Sequence, residues 1–306
     1  MIDSKFTYKI NGFPIKVHLW CSKKENPILL FVHGGPGNPF RHKVKEHMLP
    51  LLDHYTIVAY DQRGCGGSYR PYIRAKDITV ENLVDDLIVL SEKILDRLNQ
   101  EKLYLIAESF GSYVSTKALL KRPDLYCGYF GYGQLVDDMA ALKIQYHKAL
   151  DAAEKVGDKK SYNLLRKMGL PKGKRGKDSV RFFSIFYPLM ERDMDSYEER
   201  EIKPFLESDE YSRLEKRSME AWNRLYRKVI NNLLNVTLLT ENLHFDCPYY
   251  IVGGKKDYIT PFELDEGYLE KVDAPKKELI VFPNCGHISA FENPKRFMKE
   301  LRKRLR

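Results

Sequence analysis

The sequence predicts an α/β fold in which a mostly parallel central sheet carries helices on both faces and receives an inserted helical domain. Short apolar runs typical of strands alternate with helical runs over residues 1–136 and again over residues 244–306. Such alternation indicates parallel strands joined by right-handed crossovers. Residues 137–243 show helical patterns and almost no strand signal. We therefore predict a core formed by 1–136 and 244–306, and an all-helical cap formed by 137–243.

The predicted strands are short, apolar and bounded by turn residues. Asn11-Gly12 separates residues 7–10 from residues 13–20, and both turn positions tolerate positive φ, which predicts a hairpin. The other predicted strands, in chain order, are residues 28–32, 55–60, 103–107, 126–133, 248–252 and 278–282. Six of these runs with helices between them predict a doubly covered sheet.

The clearest helical period lies in residues 80–98, with Thr79 as its N-cap. Its apolar residues recur at three- and four-residue spacing: Leu83, Leu87, Leu90, Ile94, Leu95 and Leu98. Further helices are predicted over residues 40–53, 110–122, 139–156, 159–168, 180–190, 211–234 and 262–271, and from residue 294 onward.

The composition, with 43% hydrophobic and 30% charged residues, is that of a soluble globular protein. The apolar runs are too short to span a bilayer, and the N-terminus has no apolar core of a secretory signal. The five cysteines are scattered without metal-ligand spacing, which favours reduced thiols. We expect a cytoplasmic protein with no metal, no organic cofactor and no membrane partner.

The net charge of +9 raises the question of a nucleic-acid partner. The basic residues concentrate in a glycine-containing loop at 172–177 and in the last turn of the C-terminal helix, at 299–306, where cations suit the helix dipole. Neither cluster contains aromatic residues that could stack on bases, so we expect no nucleic acid. A homo-oligomer is left open.

The segment Ala107-Glu108-Ser109-Phe110-Gly111 lies where a predicted strand becomes a predicted helix. A serine at such a turn is raised above the sheet as a nucleophile, and the turn demands small residues two before and two after it. The same pattern also fits a strand end followed by a helix that Ser109 caps.

A serine nucleophile needs a histidine to take its proton and a carboxylate to fix the histidine tautomer. On a parallel sheet these partners follow the serine in the order acid, then histidine, each in a loop after a strand. Asp257 and His287 follow the last two predicted strands in that order. Asp137 and Asp138, after the preceding strand, are the fallback acids.

The glycine-rich loop His33-Gly34-Gly35-Pro36-Gly37 follows the strand predicted at residues 28–32. Glycines let the backbone turn its N–H groups inward, toward a developing oxyanion. The backbone N–H groups of Gly35 or Gly34 and of Phe110 are the predicted donors. Read alone, the loop also fits a phosphate-binding turn, but it lacks the Lys-Ser/Thr ending of a P-loop.

Taken together, these segments resemble the α/β-hydrolase superfamily and, within it, the proline iminopeptidase (prolyl aminopeptidase) group. The matching segments are, in order, residues 33–37, Asp61-Gln62-Arg63-Gly64-Cys65-Gly66-Gly67-Ser68, residues 108–112, Gly253 to Asp257, and Gly286-His287. The resemblance implies an α/β-hydrolase fold whose cap selects the substrate.

The resemblance also implies a role for each matching residue. Ser109 would be the nucleophile, Asp257 the acid and His287 the base, with Gly35 and Phe110 supplying the oxyanion hole. Asp61 and Arg63 would have a structural role in the loop beneath the site.

The chain departs from the family pattern in the cap. The family binds a free α-amine through cap carboxylates, one of them in a Trp-x-x-Trp-Glu-like helix. In residues 221–226, the nearest match, Tyr226 stands where that acid is expected. Glu220, Trp222 and Tyr226, together with Glu108 beside the nucleophile, are the candidate substrate-binding residues. Milder departures are Ala107 for the usual Gly and Gly67 for a frequent Arg.

The sequence thus predicts a serine hydrolase that cleaves a small ester or amide, on a small molecule or short peptide, through an acyl-enzyme. A carboxylesterase without aminopeptidase activity is the alternative, and a non-catalytic receptor on the same scaffold is a third. Epoxide and haloalkane hydrolases are disfavoured because they carry Asp at the position of Ser109.

Overall fold

An eight-stranded sheet organises the computed structural model, which describes residues 2–174, 176–192 and 198–305. Arg175 and Arg306, members of the two basic clusters in the sequence, lie outside the described residues. The strands are β1 (Ile2–Ile10), β2 (Phe13–Cys21), β3 (Ile28–Val32), β4 (Thr56–Tyr60), β5 (Leu103–Glu108), β6 (Tyr126–Tyr132), β7 (Tyr249–Gly254) and β8 (Lys277–Phe282).

The spatial order of the strands is β1-β2-β4-β3-β5-β6-β7-β8. β2 pairs antiparallel with β1 and β4, and all other neighbours are parallel. The β1–β2 hairpin turns at Asn11 and Gly12, whose φ values of 49° and 86° are those of a two-residue turn. The predicted hairpin and the mostly parallel sheet are confirmed.

The helices alternate with the strands along the chain. They are α1 (Arg41–Met48), α2 (Val80–Leu98), α3 (Phe110–Lys121), α4 (Asp138–Lys155), α5 (Lys159–Met168), α6 (Gly176–Met190), α7 (Lys203–Glu207), α8 (Arg213–Leu233), α9 (Asp265–Lys271), α10 (Ser289–Glu292) and α11 (Pro294–Arg304). The prediction of helix over residues 40–53 is wrong beyond Met48, where a 3₁₀ turn containing Pro50 follows, because proline has no N–H to continue the α-helix. A π-helical turn, Glu198–Ile202, and α7 and α10 were not predicted.

Two apolar layers cover the sheet, one on each face. In β3, Ile28 and Leu30 belong to the apolar layer that includes α2 and α3, while Leu29 and Phe31 belong to the layer that includes α1 and α11. A strand buried on both faces reads as an unbroken apolar run, which β3 is. The prediction of helices on both faces is confirmed.

Helices α4 to α8 lie between β6 and β7. α4, α5 and α6 share an apolar cluster around Leu142, Phe182 and Phe186, whereas α8 packs its apolar residues against the core layer. The chain enters and leaves this region side by side: Asp138 N donates to Val236 O at 3.0 Å. We propose that residues 137–243 form the cap. Among the described residues no helix is both long and apolar enough to cross a membrane.

Candidate active site

Ser109 occupies the turn between β5 and α3 with φ 50° and ψ −124°, a positive φ that non-glycine residues rarely adopt. Its side chain does not cap α3, so the structure does not have the capped helix that was the simpler interpretation. A Cβ at Gly111 would lie 2.5 Å from the carbonyl oxygens of Val32 and His33. The turn therefore needs glycine two residues after the serine, as the sequence pattern indicated.

His287 and Asp257 meet at the carboxyl edge of the sheet. His287 Nδ1 lies 2.9 Å from Asp257 Oδ2, and a carboxylate can only accept, so Nδ1 carries the proton and Nε2 is free to accept one. Asp257 is 2% exposed. The N–H groups of Ile259 and Thr260 donate to its Oδ1, at 2.8 and 2.9 Å. The carboxylate is thus fixed in one orientation.

The groups around His287 raise the pKa of its imidazole. Burial alone would lower the pKa of His287, but the charge of Asp257 and its hydrogen bond outweigh this effect. The charges of Glu108 and Glu201 raise the pKa further, so it lies above its usual value.

Ser109 and His287 both line a cavity of about 1030 Å³. Asp257 lies behind His287 and Gly35 is on the cavity wall. The remaining wall comes from both the core and the cap: Pro36, Gly37, Asn38, Glu108, Lys148, Tyr187, Met190, Glu191, Arg200, Glu201, Ile202, Met219, Trp222, Asn223, Tyr226, Lys256, Tyr258, Ile259, Asn284, Gly286, Ile288 and Glu292.

The candidate oxyanion-hole donors lie beside the nucleophile. Phe110 is the first residue of α3, and the first N–H groups of a helix have no partner within it. Gly35, with φ 114°, is on the cavity wall. Gly34 approaches the turn so closely that a Cβ there would lie 2.7 Å from the Cβ of Ser109. Of the two loop glycines, Gly35 is the one exposed to the cavity.

Glu108 is on the cavity wall, although its side chain is almost wholly buried (5% exposed). Tyr132 OH donates to its Oε2 at 3.1 Å. Burial raises the pKa of Glu108, and the positive charge of Lys43 opposes this rise. The structure thus brings this predicted residue to the site.

Glu201, in the π-helical turn of the cap, is a cavity residue that the sequence analysis missed. Lys43 Nζ lies 2.6 and 2.7 Å from its carboxylate oxygens, and Asn38 Nδ2 donates to Oε2 at 3.2 Å. Its only sequence signal is membership of the run Glu198-Glu199-Arg200-Glu201, which reads as a solvated surface. The contact with Lys43 fixes the position of the Glu201 carboxylate at the cavity wall.

Two further cavity glutamates have their own partners. Glu191 Oε1 accepts hydrogen bonds from Arg200 Nη2 at 2.9 Å and from Tyr258 OH at 2.7 Å. Glu292 accepts from the N–H of Gly286, at 2.6 Å, in the loop that carries His287. These side chains hold the cavity wall in place.

The residues of α8 that were candidates for substrate binding divide into two groups. Trp222 and Tyr226, four residues apart on one helix face, are both on the cavity wall. Trp222 packs so tightly on Gly37 that a Cβ there would lie 2.1 Å from its ring. Glu220 is exposed and lies outside the cavity lining, because its position faces away from that of Trp222. The structure does not bring Glu220 to the site.

The fallback acids have other contacts. Asp137 caps α4 by accepting from Ala140 N at 2.6 Å, and Asp138 pairs with Lys174 at 2.7 Å. Neither contributes to the cavity lining of the described residues. Asp257, rather than either of these, meets His287.

Asp61 and Arg63 are buried in the loop after β4. Asp61 accepts from Arg41 Nε at 3.0 Å and from Gly67 N at 2.7 Å. Arg63 makes two hydrogen bonds to Asp86, at 2.7 and 2.6 Å. These contacts fix the loop beneath the cavity.

The sheet order and a serine at the strand-to-helix turn define the class of protein. The sequence profile of the family described as alpha/beta hydrolase fold matches residues 27–294, and the chain belongs to this family.

Its relatives carry aminopeptidase names. The probable aminopeptidase YbaC of Bacillus subtilis (strain 168) is 28% identical over 309 residues, covering 99% of this chain and 94% of the relative. A proline iminopeptidase of Saccharolobus solfataricus is 24% identical over 309 residues, covering 96% of this chain and 89% of the relative. The predicted resemblance to the proline iminopeptidase group is confirmed.

Among solved structures, a proline iminopeptidase-related protein from Thermus thermophilus superposes with a TM-score of 0.67. The match covers 99% of this chain and 97% of that one at 20% sequence identity, and it shows the shared fold.

Proposed function

We propose that the chain is a serine hydrolase in which Ser109 attacks the carbonyl carbon of an ester or amide. The observation that carries this proposal is the strained backbone of Ser109 in the same cavity as His287, whose Nδ1 is bound to buried Asp257. A positive φ at the serine holds its hydroxyl above the sheet, and the Asp257 contact leaves His287 Nε2 unprotonated, as a general base requires.

The reaction proceeds through an acyl-enzyme. His287 Nε2 takes the Ser109 proton as the Oγ–carbon bond forms, and the N–H groups of Gly35 and Phe110 stabilise the negative oxygen. His287 then returns the proton to the leaving group as the ester or amide bond breaks. A water molecule, deprotonated by His287, attacks the acyl carbon and releases the acid and Ser109.

We infer an aminopeptidase-type substrate, with a free α-ammonium near the scissile carbonyl. Glu108 and Glu201 are anionic or ionisable groups on the cavity wall close enough to His287 to raise its pKa. An ammonium between them would make charge-assisted hydrogen bonds. Tyr226 stands where the family has an acid, and Glu201 supplies a carboxylate to the cavity from another part of the cap.

An esterase without amine recognition is the second candidate. The observation that favours it is the apolar part of the wall, which suits a neutral acyl group: Tyr187, Met190, Ile202, Met219, Trp222 and Tyr226.

The nucleophile is tested by covalent labelling with a fluorophosphonate probe. The native chain should label and Ser109→Ala should not. Ser184→Ala is the control, since Ser184 is exposed on α6 and its Oγ donates to the Arg181 carbonyl of the preceding turn. An unlabelled native chain, or equal labelling of Ser109→Ala, would refute the mechanism.

The substrate class is tested with matched amides and esters. Proline β-naphthylamide should be cleaved far faster than its N-acetylated form, and Glu201→Gln should raise KM for the free amine roughly 10-fold or more, as expected for a charged hydrogen bond. Glu220→Gln is the control, because Glu220 is an exposed glutamate of the cap outside the cavity lining. Equal rates on both amides, with rapid cleavage of p-nitrophenyl esters, would establish the esterase instead.

A further inference from the structure

His33 belongs to one of two loops that it joins by hydrogen bonds, and the reaction as proposed assigns it no task. The first is the glycine-rich loop, residues 33–37, and the second is the loop after β4, residues 61–68. The His33 side chain is fully buried, although imidazole is polar. A buried polar ring needs hydrogen bonds, and these determine what His33 does.

The hydrogen bonds of His33 define its tautomer. The backbone N–H of Gln62 donates to Nε2 at 2.9 Å. An N–H group cannot accept, so Nε2 is unprotonated and the ring proton is on Nδ1. Nδ1 then donates to Gly34 O, 2.9 Å away. Burial lowers the pKa of His33 to about 4, which agrees with a neutral ring.

The carbonyl of Gly34 accepts a second hydrogen bond, from Asn38 N at 3.2 Å. Two donors therefore fix the direction of this oxygen. The Gly34–Gly35 peptide bond is trans and planar, so the N–H of Gly35 points opposite to the Gly34 carbonyl. Fixing one end of the peptide fixes the other.

The N–H of Gly35 is free to serve the reaction. Among the hydrogen bonds of the described residues, none comes from this group. Gly35 shares the cavity wall with Ser109, so its N–H is an unpaired donor beside the nucleophile.

We propose that His33 is a positioning residue for the oxyanion hole: by holding the Gly34 carbonyl, it aims the Gly35 N–H at the oxygen that becomes negative when Ser109 attacks. This inference rests on the proposed serine mechanism. Its energetic role appears in the transition state, because the substrate carbonyl carries little charge before attack.

The proposal also gives the second loop a function. Gln62 holds His33 at both ends: its N–H binds Nε2, and its side-chain Nε2 donates to His33 O at 2.7 Å. Gln62 is itself held by the turn that Asp61 and Ser68 close, in which Ser68 Oγ donates to Asp61 O at 2.6 Å. The loop after β4 thus orients the imidazole that orients the peptide.

The test compares two isosteric variants, His33→Asn and His33→Leu. Both shorten the side chain equally, but Asn keeps an N–H donor near the position of Nδ1. His42→Leu is the control, since His42 is also buried and neither of its ring nitrogens has a hydrogen-bond partner among the described residues. The measurements are kcat and KM on p-nitrophenyl acetate and the second-order rate of fluorophosphonate labelling, whose phosphonyl oxygen enters the oxyanion hole.

We expect His33→Leu to lower kcat and the labelling rate in parallel by roughly 30-fold, less than the loss of a whole oxyanion donor, with KM nearly unchanged. His33→Asn should recover most of both rates at the same melting temperature as His33→Leu. His42→Leu should retain native rates. The two isosteres are compared with each other, so a shared loss of stability does not obscure the result.

Three results would overturn the inference. They are native rates in His33→Leu, a change in the KM of His33→Leu without a change in its kcat, or equal rates in His33→Asn and His33→Leu. These differ from failure of the serine mechanism, in which the native chain itself would not label. A native chain that labels while His33→Leu labels equally fast rejects only the role of His33.

Discussion

Glu210 should contribute far more to stability than its neighbour Asp209, although both are cap carboxylates with a cationic partner on α1. Glu210 Oε1 lies 2.5 Å from Arg41 Nη1, and neither side chain is exposed. Asp209 Oδ1 lies 2.8 Å from Lys45 Nζ, but Asp209 is 83% exposed. The perturbation is Glu210→Ala, with Asp209→Ala as the matched control.

The expected magnitudes follow from burial. Glu210→Ala leaves the guanidinium of Arg41 buried with Asp61, at 3.0 Å, and the more distant Glu215, at 3.4 Å, as its carboxylate partners. Removing one member of a buried ion pair costs about 3–5 kcal/mol. It also removes the 2.8 Å contact of His18 Nδ1 with the Glu210 carboxylate. Asp209→Ala removes an exposed pair, worth about 0.2–1 kcal/mol.

The assay is urea unfolding at pH 7, followed by the fluorescence of the two tryptophans, Trp20 in the core and Trp222 in the cap. A loss of less than about 1 kcal/mol for Glu210→Ala, or a loss no larger than that of Asp209→Ala, would refute the reasoning.

Lowering the pH should reduce the difference in free energy of unfolding between the native chain and Glu210→Ala. Burial raises the pKa of Glu210, but hydrogen bonding from His18 and the charge of Arg41 lower it more, so the folded pKa lies below its usual value. The stabilisation is therefore complete above the pKa of the free carboxyl, about 4.3, and is lost as pH falls through the lower folded pKa. A difference that persists undiminished in acid would contradict this origin.

Three further predictions address the site and its neighbours. Glu201→Gln removes a negative charge that raises the pKa of His287, so the acid limb of the kcat/KM profile should move to lower pH, and an unmoved limb would contradict this coupling. His42→Phe removes an imidazole whose pKa burial lowers to about 3. In the unfolded chain the His42 imidazole takes up a proton below about pH 6.5, whereas in the folded chain it stays neutral. Between pH 6.5 and 4, urea titrations should therefore show a smaller loss of stability for the variant than for the native chain. Equal losses would contradict this account of His42. Gly111→Ala places a Cβ 2.5 Å from two backbone carbonyl oxygens. It should lower the free energy of unfolding in urea by about 1–3 kcal/mol and suppress fluorophosphonate labelling. Labelling at the native rate would reject the steric argument.

Elements set by local backbone chemistry were predictable from the sequence. Asn11-Gly12 permits the positive φ values of the hairpin turn, and the glycine at 111 permits the close approach of α3 to the loop after β3. The meeting of Asp257 and His287 at the edge that carries Ser109 follows from a topological rule, because parallel strands present their following loops at one edge of the sheet. Their 2.9 Å contact was the expected consequence.

The cap contacts were not predictable, because they join positions far apart in sequence. Glu201 contacts Lys43 across 158 residues and Glu210 contacts Arg41 across 169. In sequence, both resemble Glu220, which the structure leaves exposed. A glutamate in a charged helical stretch is solvated unless another element covers it, and no local pattern encodes the position of α1 beneath the cap. The error over Glu220 and the omission of Glu201 have this one cause.

The position of Glu201 links substrate recognition to the oxyanion loop. Asn38 donates its backbone N–H to Gly34 O and its side-chain Nδ2 to Glu201 Oε2. One residue therefore hydrogen-bonds both the carboxylate proposed to hold an ammonium and the peptide proposed to stabilise the transition state. An ammonium at Glu201 competes with Asn38 for the same oxygens, and any shift of Asn38 acts on the Gly34 carbonyl. It follows that a free α-amine should change kcat as well as KM relative to its N-acetylated form, which simple anchoring by the cap would not do.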